Sequence, residues 1–279
     1  MLYKYKGIMP ENTSIKVREG VETICADAFW HCSTLKSIAF PKTLTHIGQE
    51  AFNGCSTLSS IVIPKGVKHI ESGTFTDCSS LAFVLLPAGL TSIDNFAFAN
   101  CTSLKSITIP DSVTSIGKTT TIYLFGQDDN PYEAETFIGR NEGYSMDIKQ
   151  NTGGSAFLNC TALTSVYIGS LVTEIPSNTF EDCKSLTSIN IPNGVKIIDE
   201  AAFKNCTSLP KIEIPNSVTD LGEEAFLNCL SLQTIQLSDN IKEIGYKAFH
   251  RTAWYDQQPD GEVYINKILP VGGIKVAHI

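Results

Sequence analysis

The sequence predicts a repeat solenoid: a β-rich rod with a parallel sheet along one side, short turns or 3-10 segments on the other, and one 36-residue insertion. Three observations lead there. Eight of the nine cysteines lie on two combs with a tooth every 23 residues, Cys32, Cys55, Cys78 and Cys101, then Cys160, Cys183, Cys206 and Cys229. The step from Cys101 to Cys160 is 59 residues, one period plus 36. Around each tooth the same apolar residues recur at the same offsets. A unit this short cannot bury its own apolar face, so its neighbours must cover it from both sides. Such a rod offers extended surfaces rather than deep pockets.

Within a unit the elements follow in order. A Phe stands three residues before every comb cysteine (Phe29, Phe52, Phe75, Phe98, Phe157, Phe180, Phe203, Phe226), and a Leu stands three after it, from Leu35 to Leu232. Six and eight residues after the cysteine come apolar pairs, Ile38 with Phe40, Ile61 with Ile63, Ile107 with Ile109, Ile189 with Ile191. That alternation predicts a half-buried strand. Pro41, Pro64, Pro87, Pro110, Pro192 and Pro215 close the strand, where a missing N–H harms the ladder least, and Gly169 takes the place in the fifth copy. A second apolar pair, such as Val113 with Ile116 or Val195 with Ile198, precedes Gly48, Gly117, Gly222 or Gly245 and predicts a second short extended segment ending in a turn. Stacked about 4.8 Å apart, about nine strands make a ribbon about 40 Å long.

The frame divides the chain into a degenerate half repeat at 1–27, repeats one to four at 28–118, an insertion at 119–154, repeats five to eight with the start of a ninth at 155–251, and a C-terminal cap at 252–279. Met9 stands in a cysteine slot and Asn12 in a leucine slot, while Ile15, Val17, Val21 and Ile24 obey the pattern. Past Phe249, Thr252 and Tyr255 occupy the Cys and Leu slots. Asp260-Gly261, between Tyr255 and the alternating Val263-Tyr264-Ile265, predicts a hairpin that closes the open sheet edge. The insertion carries Asp128, Asp129, Glu133, Glu135, Glu142 and Asp147 against Arg140 and Lys149, half of the chain's net charge of −8. A loop of this length inside a compact body is functional or disordered. Its Thr120–Phe125 run reads as a strand of a projecting hairpin.

The run Ala97-Phe98-Ala99-Asn100-Cys101-Thr102-Ser103-Leu104-Lys105-Ser106-Ile107-Thr108-Ile109-Pro110-Asp111-Ser112-Val113-Thr114-Ser115-Ile116-Gly117, repeated eight times, closely resembles the BspA-like (Treponema-type) leucine-rich repeat family. The resemblance covers nearly all of residues 15 to 251 outside the insertion. It implies a right-handed, curved leucine-rich repeat solenoid of a class not known for enzymes. It also implies a setting in surface or secreted bacterial and protist proteins that attach to host or neighbouring-cell components. In longer relatives a segment like Val263–Leu269 is followed by one like Leu2–Gly7, so the chain resembles one module of a tandem array. The start of the chain lacks the apolar stretch of a secretory signal, which leaves a cytoplasmic protein as the alternative to a piece of a surface protein.

With 21 Lys+Arg against 29 Asp+Glu and no basic stripe, the chain is not expected to bind nucleic acid. No stretch of 18 apolar residues exists, so membrane insertion is not expected either. The cysteine combs admit disulfides, metal sites or packing. Side chains projecting in parallel miss the disulfide dihedral near 90°, and packing is the expectation, with Cys25, outside the comb, as the exposed thiol. His46 and His69 share a slot and should be neighbours on one edge, either solvated or holding a transition metal. Asp128, Asp129, Asn130, Glu133 and Glu135 lack the spacing of a calcium loop. The five histidines, at 31, 46, 69, 250 and 278, make no catalytic set with Ser, Asp or Cys. Neither an enzyme nor a cofactor is expected.

The outward slot of the strand, seven residues after each cysteine, holds Ala39, Val62, Leu85, Thr108, Tyr167, Asn190, Glu213 and Gln236, and Ala82 and Phe83 join its apolar end. Val62, Phe83, Leu85, Thr108, Tyr167 and Asn190 are therefore the candidate binding residues. Phe83 either faces solvent as part of a contact site or lies over a neighbouring Ser column. The function expected is a non-enzymatic binding module that recognises a protein or glycan of a host or neighbouring cell through the strand face and the insertion. A passive spacer within a larger surface protein is the alternative.

Overall fold

The computed structural model describes residues 1–117 and 154–259, with the backbone of Gly261–Glu262 and Ile274–Lys275. Among the described residues it is a solenoid of parallel strands with one helical turn, Ala253–Asp256. The first ribbon is built by Thr13–Lys16, Leu35–Ala39, Ser60–Val62, Phe83–Leu85, Ser106–Thr108, Ser165–Tyr167, Ser188–Ile189, Lys211–Glu213 and Thr234–Gln236. The second extended segment of each unit forms another ribbon of two-residue strands, from Thr23–Ile24 to Glu243–Ile244. Pairing is parallel and shifted by one repeat, as in Ile61 opposite Val84 and Ile212 opposite Ile235. The period-2 pattern holds strand by strand: Ile61, Ile107 and Ile212 are buried while the residues on either side are exposed.

The third side of the rod carries the phenylalanine slot, and its backbone is more constrained than either ribbon. In each unit the residues five and one before the cysteine slot have left-handed φ, for instance Asn178 at 57° and Asp182 at 60°, or Ala201 at 52° and Asn205 at 61°. The turns this produces place alternate N–H groups toward the next unit. Asn178 N donates to Glu200 O at 2.9 Å, Phe180 N to Ala202 O at 2.9 Å and Asp182 N to Lys204 O at 2.9 Å. The intervening amides close turns within the unit, as in Glu181 N to Asn178 O and Cys183 N to Phe180 O. The corner is thus a ladder without strands, and its backbone donors are paired.

Inside, identical residues stack on identical residues. Phe29, Phe52, Phe75, Phe98, Phe157, Phe180, Phe203, Phe226 and Phe249 form a continuous column with neighbouring centroids 5.1–5.5 Å apart and planes within 14° of parallel. The slot before each Phe holds a small buried residue, Ala28, Ala51, Thr74, Ala97, Ala156, Thr179, Ala202, Ala225 or Ala248. The two threonines direct their hydroxyls to carbonyls of their own turn, Glu71 O and Pro176 O, each at 2.7 Å. The cysteine slots lie beside this column and the Leu35 to Leu232 column lies next to them.

The 59-residue step counts as one period in space. Ser165 pairs with Ser106, Val166 with Ile107 and Tyr167 with Thr108, and Phe98 stacks on Phe157 at 5.5 Å and 4°. Gly117 and Gly154 occupy successive places of the frame, and a Cβ on Gly117 would lie 2.6 Å from the Gly154 Cα. Only glycine allows this approach. The frame therefore leaves at 117 and resumes at 154, one residue earlier than the expected insertion of 119–154. The expected strand at Thr120–Phe125 and the carboxylates from Asp128 onward lie outside the described residues.

Each end has its own cover. At the start, Leu2 N donates to Thr23 O, Cys25 N to Leu2 O and Tyr5 N to Ala28 O, so the first residues add a partial turn to the second ribbon. At the other end Thr252, in the cysteine slot, caps the helical turn Ala253–Asp256 through its side chain to Tyr255 N. Trp254 sits edge-on to Phe249 at 5.9 Å and closes the phenylalanine column. Tyr255, expected to precede the hairpin, is helical. Gly261 and Glu262 pair antiparallel with Lys275 and Ile274, while Asp260 and the Val263-Tyr264-Ile265 run of the expected hairpin lie outside the described residues. A polar residue after a buried Phe with a hydroxyl at the cap position is a helix start, which the Asp-Gly signal hid.

Replacing Phe203, which stacks on Phe180 at 5.5 Å and on Phe226 at 5.1 Å, by Ala will lower stability by about 3–5 kcal/mol. Chemical denaturation followed by circular dichroism measures this, and an unchanged midpoint would place the Phe slot outside the core.

Candidate functional site

The outward face of the first ribbon is set by the same alternation that buries Ile61, Val84 and Ile107. Slots five and seven residues after each cysteine point away from the core. At one end, Val62 is 56% exposed, Phe83 53% and Leu85 51%. Val62 stands opposite Leu85 and Ser60 opposite Phe83 across the parallel pair, so these three side chains form one apolar patch. Phe83 keeps half its surface in solvent with Ser60 beside it, and Ala82 next to it is also exposed.

Toward the middle of the ribbon the face becomes polar. Thr108 and Tyr167 are paired neighbours and both are exposed. Tyr167 directs its hydroxyl toward Asp111, which also accepts the Ser170 N–H at 2.8 Å, and this hydrogen bonding holds the Asp111 carboxyl below the usual carboxylate range. Asn190 is half-buried. Its amide oxygen accepts from Ile168 N at 2.8 Å and its Nδ2 donates to Ile168 O at 2.9 Å, replacing the ladder bonds where the Ser188–Ile189 strand ends. The structure thus brings Val62, Phe83 and Leu85 together, continues through Thr108 to Tyr167, and gives Asn190 a backbone to hold. Around Ser106, Ser165 and Ser188 the face is a shallow depression of about 480 Å³.

The cysteines are free thiols. Each buried one donates its S–H to the Phe carbonyl of the preceding unit, Cys55 to Phe29 O, Cys78 to Phe52 O, Cys101 to Phe75 O, Cys160 to Phe98 O, Cys183 to Phe157 O, Cys206 to Phe180 O and Cys229 to Phe203 O, at 3.1–3.4 Å. Burial pushes the thiols up, to about 12 for Cys55, Cys160 and Cys229, and raises those of Cys78, Cys101, Cys183 and Cys206 as well, so none is a nucleophile at neutral pH. Cys32 differs. Lys6 stands where the preceding Phe would be, and Cys32 is partly exposed like Cys25. The expectation of Cys25 as the one accessible thiol is corrected on that ground.

His46 Nδ1 lies 3.5 Å from Glu71 Oε1, while His69 Nδ1 is 3.0 Å from Ser92 Oγ. Among the described residues no three His, Cys, Asp or Glu side chains converge as metal ligands. One column escaped the sequence reading: Asp77, Asn100, Asn159, Asp182, Asn205 and Asn228, immediately before the cysteine. Their left-handed φ explains the residue type, and their side chains form two short ladders, Asn100 to Asp77 and Asn159 to Asn100, then Asn205 to Asp182 and Asn228 to Asn205. The recurrence of Asn or Asp at one fixed offset was the available signal.

Two ribbons of one-period parallel pairs around a phenylalanine corner define a leucine-rich repeat solenoid. The chain matches the BspA type Leucine rich repeat region (6 copies) over residues 4–123 and 146–255 and belongs to that family. A leucine-rich repeat protein from Bacteroides ovatus is 32% identical, with a TM-score of 0.60 over 86% of this chain and 59% of that one. This chain therefore spans about 59% of that relative's length. The T. pallidum leucine-rich repeat protein, 23% identical over 82% of this chain and 81% of its own, shares the fold with a TM-score of 0.52. No curated protein matches the chain.

With intact protein at pH 8, a thiol reagent will modify Cys25 and Cys32 alone, and denaturation without reductant will release all nine thiols. Mass spectrometry of the labelled peptides reads both, and label on Cys101 or Cys183 in the native state would contradict the buried ladder.

Proposed function

We propose that the chain is a non-catalytic protein-binding module that takes its ligand on the outward face of the first ribbon. The observation that carries this reading is the cluster of Val62, Phe83 and Leu85, each about half exposed on adjacent strands whose backbone and inward side chains are fully committed to the solenoid. Apolar side chains of this size held half in solvent are suited to anchor a complementary apolar surface. Thr108 and Tyr167 extend the same face with polar contacts, and Tyr combines contact area with few rotatable bonds. The buried, proton-holding thiols supply no nucleophile, which favours binding over catalysis. The reading extends to display at a cell surface or in a secreted protein, with the partner a protein of a host or neighbouring cell. No helix among the described residues is long and apolar enough to cross a membrane.

The test is attachment of the immobilised chain to a panel of purified extracellular-matrix and cell-surface proteins. Phe83→Ser combined with Leu85→Asp will reduce retention of a bound protein at least tenfold, on the order of the loss of one or two contact anchors, with little change in thermal midpoint because both side chains face solvent. Deletion of 118–153 will leave the solenoid folded, since Gly117 and Gly154 are already in frame. Retention lost by the deletion but kept by the double substitution moves the site to the insertion. Retention unaffected by both makes the chain a spacer.

A further inference from the structure

The apolar cluster of Val62, Phe83 and Leu85 has a charged border. Segments 35–45, 58–68, 81–91 and 104–110 form the first ribbon of the first four repeats with the turns beyond it. They contain five lysines, Lys36, Lys42, Lys65, Lys68 and Lys105, and no Asp or Glu. All five lysines are exposed. The chain as a whole has a net charge of −8, so this face has the opposite sign to the molecule. The carboxylates of the same repeats, Glu50, Glu71, Asp77 and Asp94, lie on the phenylalanine corner and the turn leading into it. Asp111, the first carboxylate past these segments, is engaged by the Ser170 N–H and the Tyr167 hydroxyl.

The frame sets these lysines around the cluster. Lys36 stands in the strand Leu35–Ala39, next to Ser60–Val62, and Lys105 precedes the strand Ser106–Thr108, next to Phe83–Leu85. Lys42 and Lys65 share one slot of successive repeats, and Lys65 follows Val62 by at most about 11 Å of chain. Lys68 leans into the following repeat, its Nζ 2.7 Å from the point where a Cβ on Gly89 would stand. None of the five ammonium groups meets a carboxylate among the described residues. In later repeats Lys184, Lys204 and Lys211 do, with Asp182 at 3.6 Å, Glu224 at 2.8 Å and Glu213 at 3.3 Å. The positive charge is thus left uncompensated where the apolar side chains are exposed.

We propose that the partner of this face is an acidic protein segment, with large apolar side chains seated on Val62, Phe83 and Leu85 and with Asp and Glu on either side facing the lysines. An apolar centre inside a polar, charged border is the anatomy of a protein contact. Lysine is a flexible point charge, so the border attracts carboxylates without demanding one bidentate geometry, and charges at the rim of a contact chiefly set the rate of encounter. A second copy placed face to face would bring the two lysine borders together, like charge on like, which disfavours it as the occupant. An anionic bilayer offers the same sign of charge but takes up apolar side chains that insert below its headgroups, and these three are held half-buried in a sheet. The proposal rests on the reading of this ribbon as a protein-binding face and specifies the chemistry of what it binds.

The test is selection of a displayed library of random dodecapeptides on the immobilised full chain, followed by binding kinetics of the enriched peptides with wild type and variants. The result expected is enrichment of peptides that combine large apolar residues with an excess of Asp and Glu. Lys42→Glu with Lys65→Glu will lower their association rate roughly tenfold at about 50 mM salt and only about twofold at about 500 mM, where screening hides the border. Lys196→Glu with Lys242→Glu, exposed positions beside the second ribbon, will leave the rate within about twofold. Unchanged thermal midpoints will show that the variants fold. Enriched peptides that are lost with Phe83→Ser and Leu85→Asp, yet carry no excess of acid or bind both charge variants alike, overturn the acidic partner and leave the apolar face standing. If no enriched peptide depends on Phe83 and Leu85, the face itself falls and the proposal with it. Vesicles of phosphatidylserine and phosphatidylcholine in equal parts form the last arm. Retention of the chain by these vesicles, abolished by Lys42→Glu with Lys65→Glu and unaccompanied by acidic peptides, assigns the border to a membrane and overturns the proposal.

Discussion

The structure depends on the way the phenylalanine corner of one turn is hydrogen-bonded to the next. Alternate amides in each unit, three in most, such as those of Asn178, Phe180 and Asp182, donate to carbonyls of the following unit. This requires two left-handed residues per turn, at about 1–2 kcal/mol for each residue with a side chain. Leaving a buried amide unpaired costs about 1–3 kcal/mol, so the satisfied amides offset a cost of the same order in the two strained residues. The arrangement then brings Phe onto Phe and places every buried cysteine under the carbonyl of the Phe in the unit before. The ribbons on the other two sides are short, two or three residues in most units, and take their register from this corner.

A rod assembled in this way separates what holds it together from what it presents. Contacts are between nearest neighbours, so the insertion at 117 to 154 disturbs one junction and the frame resumes with Phe157 on Phe98. Outward side chains of the first ribbon are not needed for the stack and are free to differ from one repeat to the next. The face accordingly passes from apolar at Val62, Phe83 and Leu85, through hydroxyl-rich at Ser106, Ser165 and Ser188, to charged at Lys211 and Glu213, whose side chains pair at 3.3 Å. Different surface chemistries along one ribbon follow from one backbone.

Much of this was legible in the residues because repetition turns each slot into a column. The Phe and Leu slots recur without exception from Phe29 to Leu232, and their burial follows from periodicity alone. The exposure of Val62 and Leu85 followed from the same alternation, whereas the sequence left Phe83 between solvent and a neighbouring Ser column. Other features depend on atoms that residue type does not encode. The left-handed slot five residues before the cysteine holds Asp27, Glu50, Phe96, Ser155, Ala201 and Lys247 among others, with no preference to read, because the neighbouring turns impose the conformation. The partner of each cysteine S–H lies in another repeat, and the half-exposed state of Cys32 follows from the missing Phe one unit earlier. At the C-terminus the repeat ends, and the helix cap at Thr252, with Trp254 edge-on to the last Phe, went unread beside the turn signal at Asp260-Gly261.

Residue-resolved native-state hydrogen exchange tests the central claim most directly. If the corner carries the stack, the amides of Phe157, Asn159, Phe180 and Asp182, which donate to the next unit, will exchange as slowly as the ribbon amide of Ile109, which donates to Tyr167 O, and will open together with it. Rapid exchange at these four amides, with protection confined to the ribbons, would contradict it, since the solenoid would then be held by its strands and the phenylalanine corner would be only a connection between them.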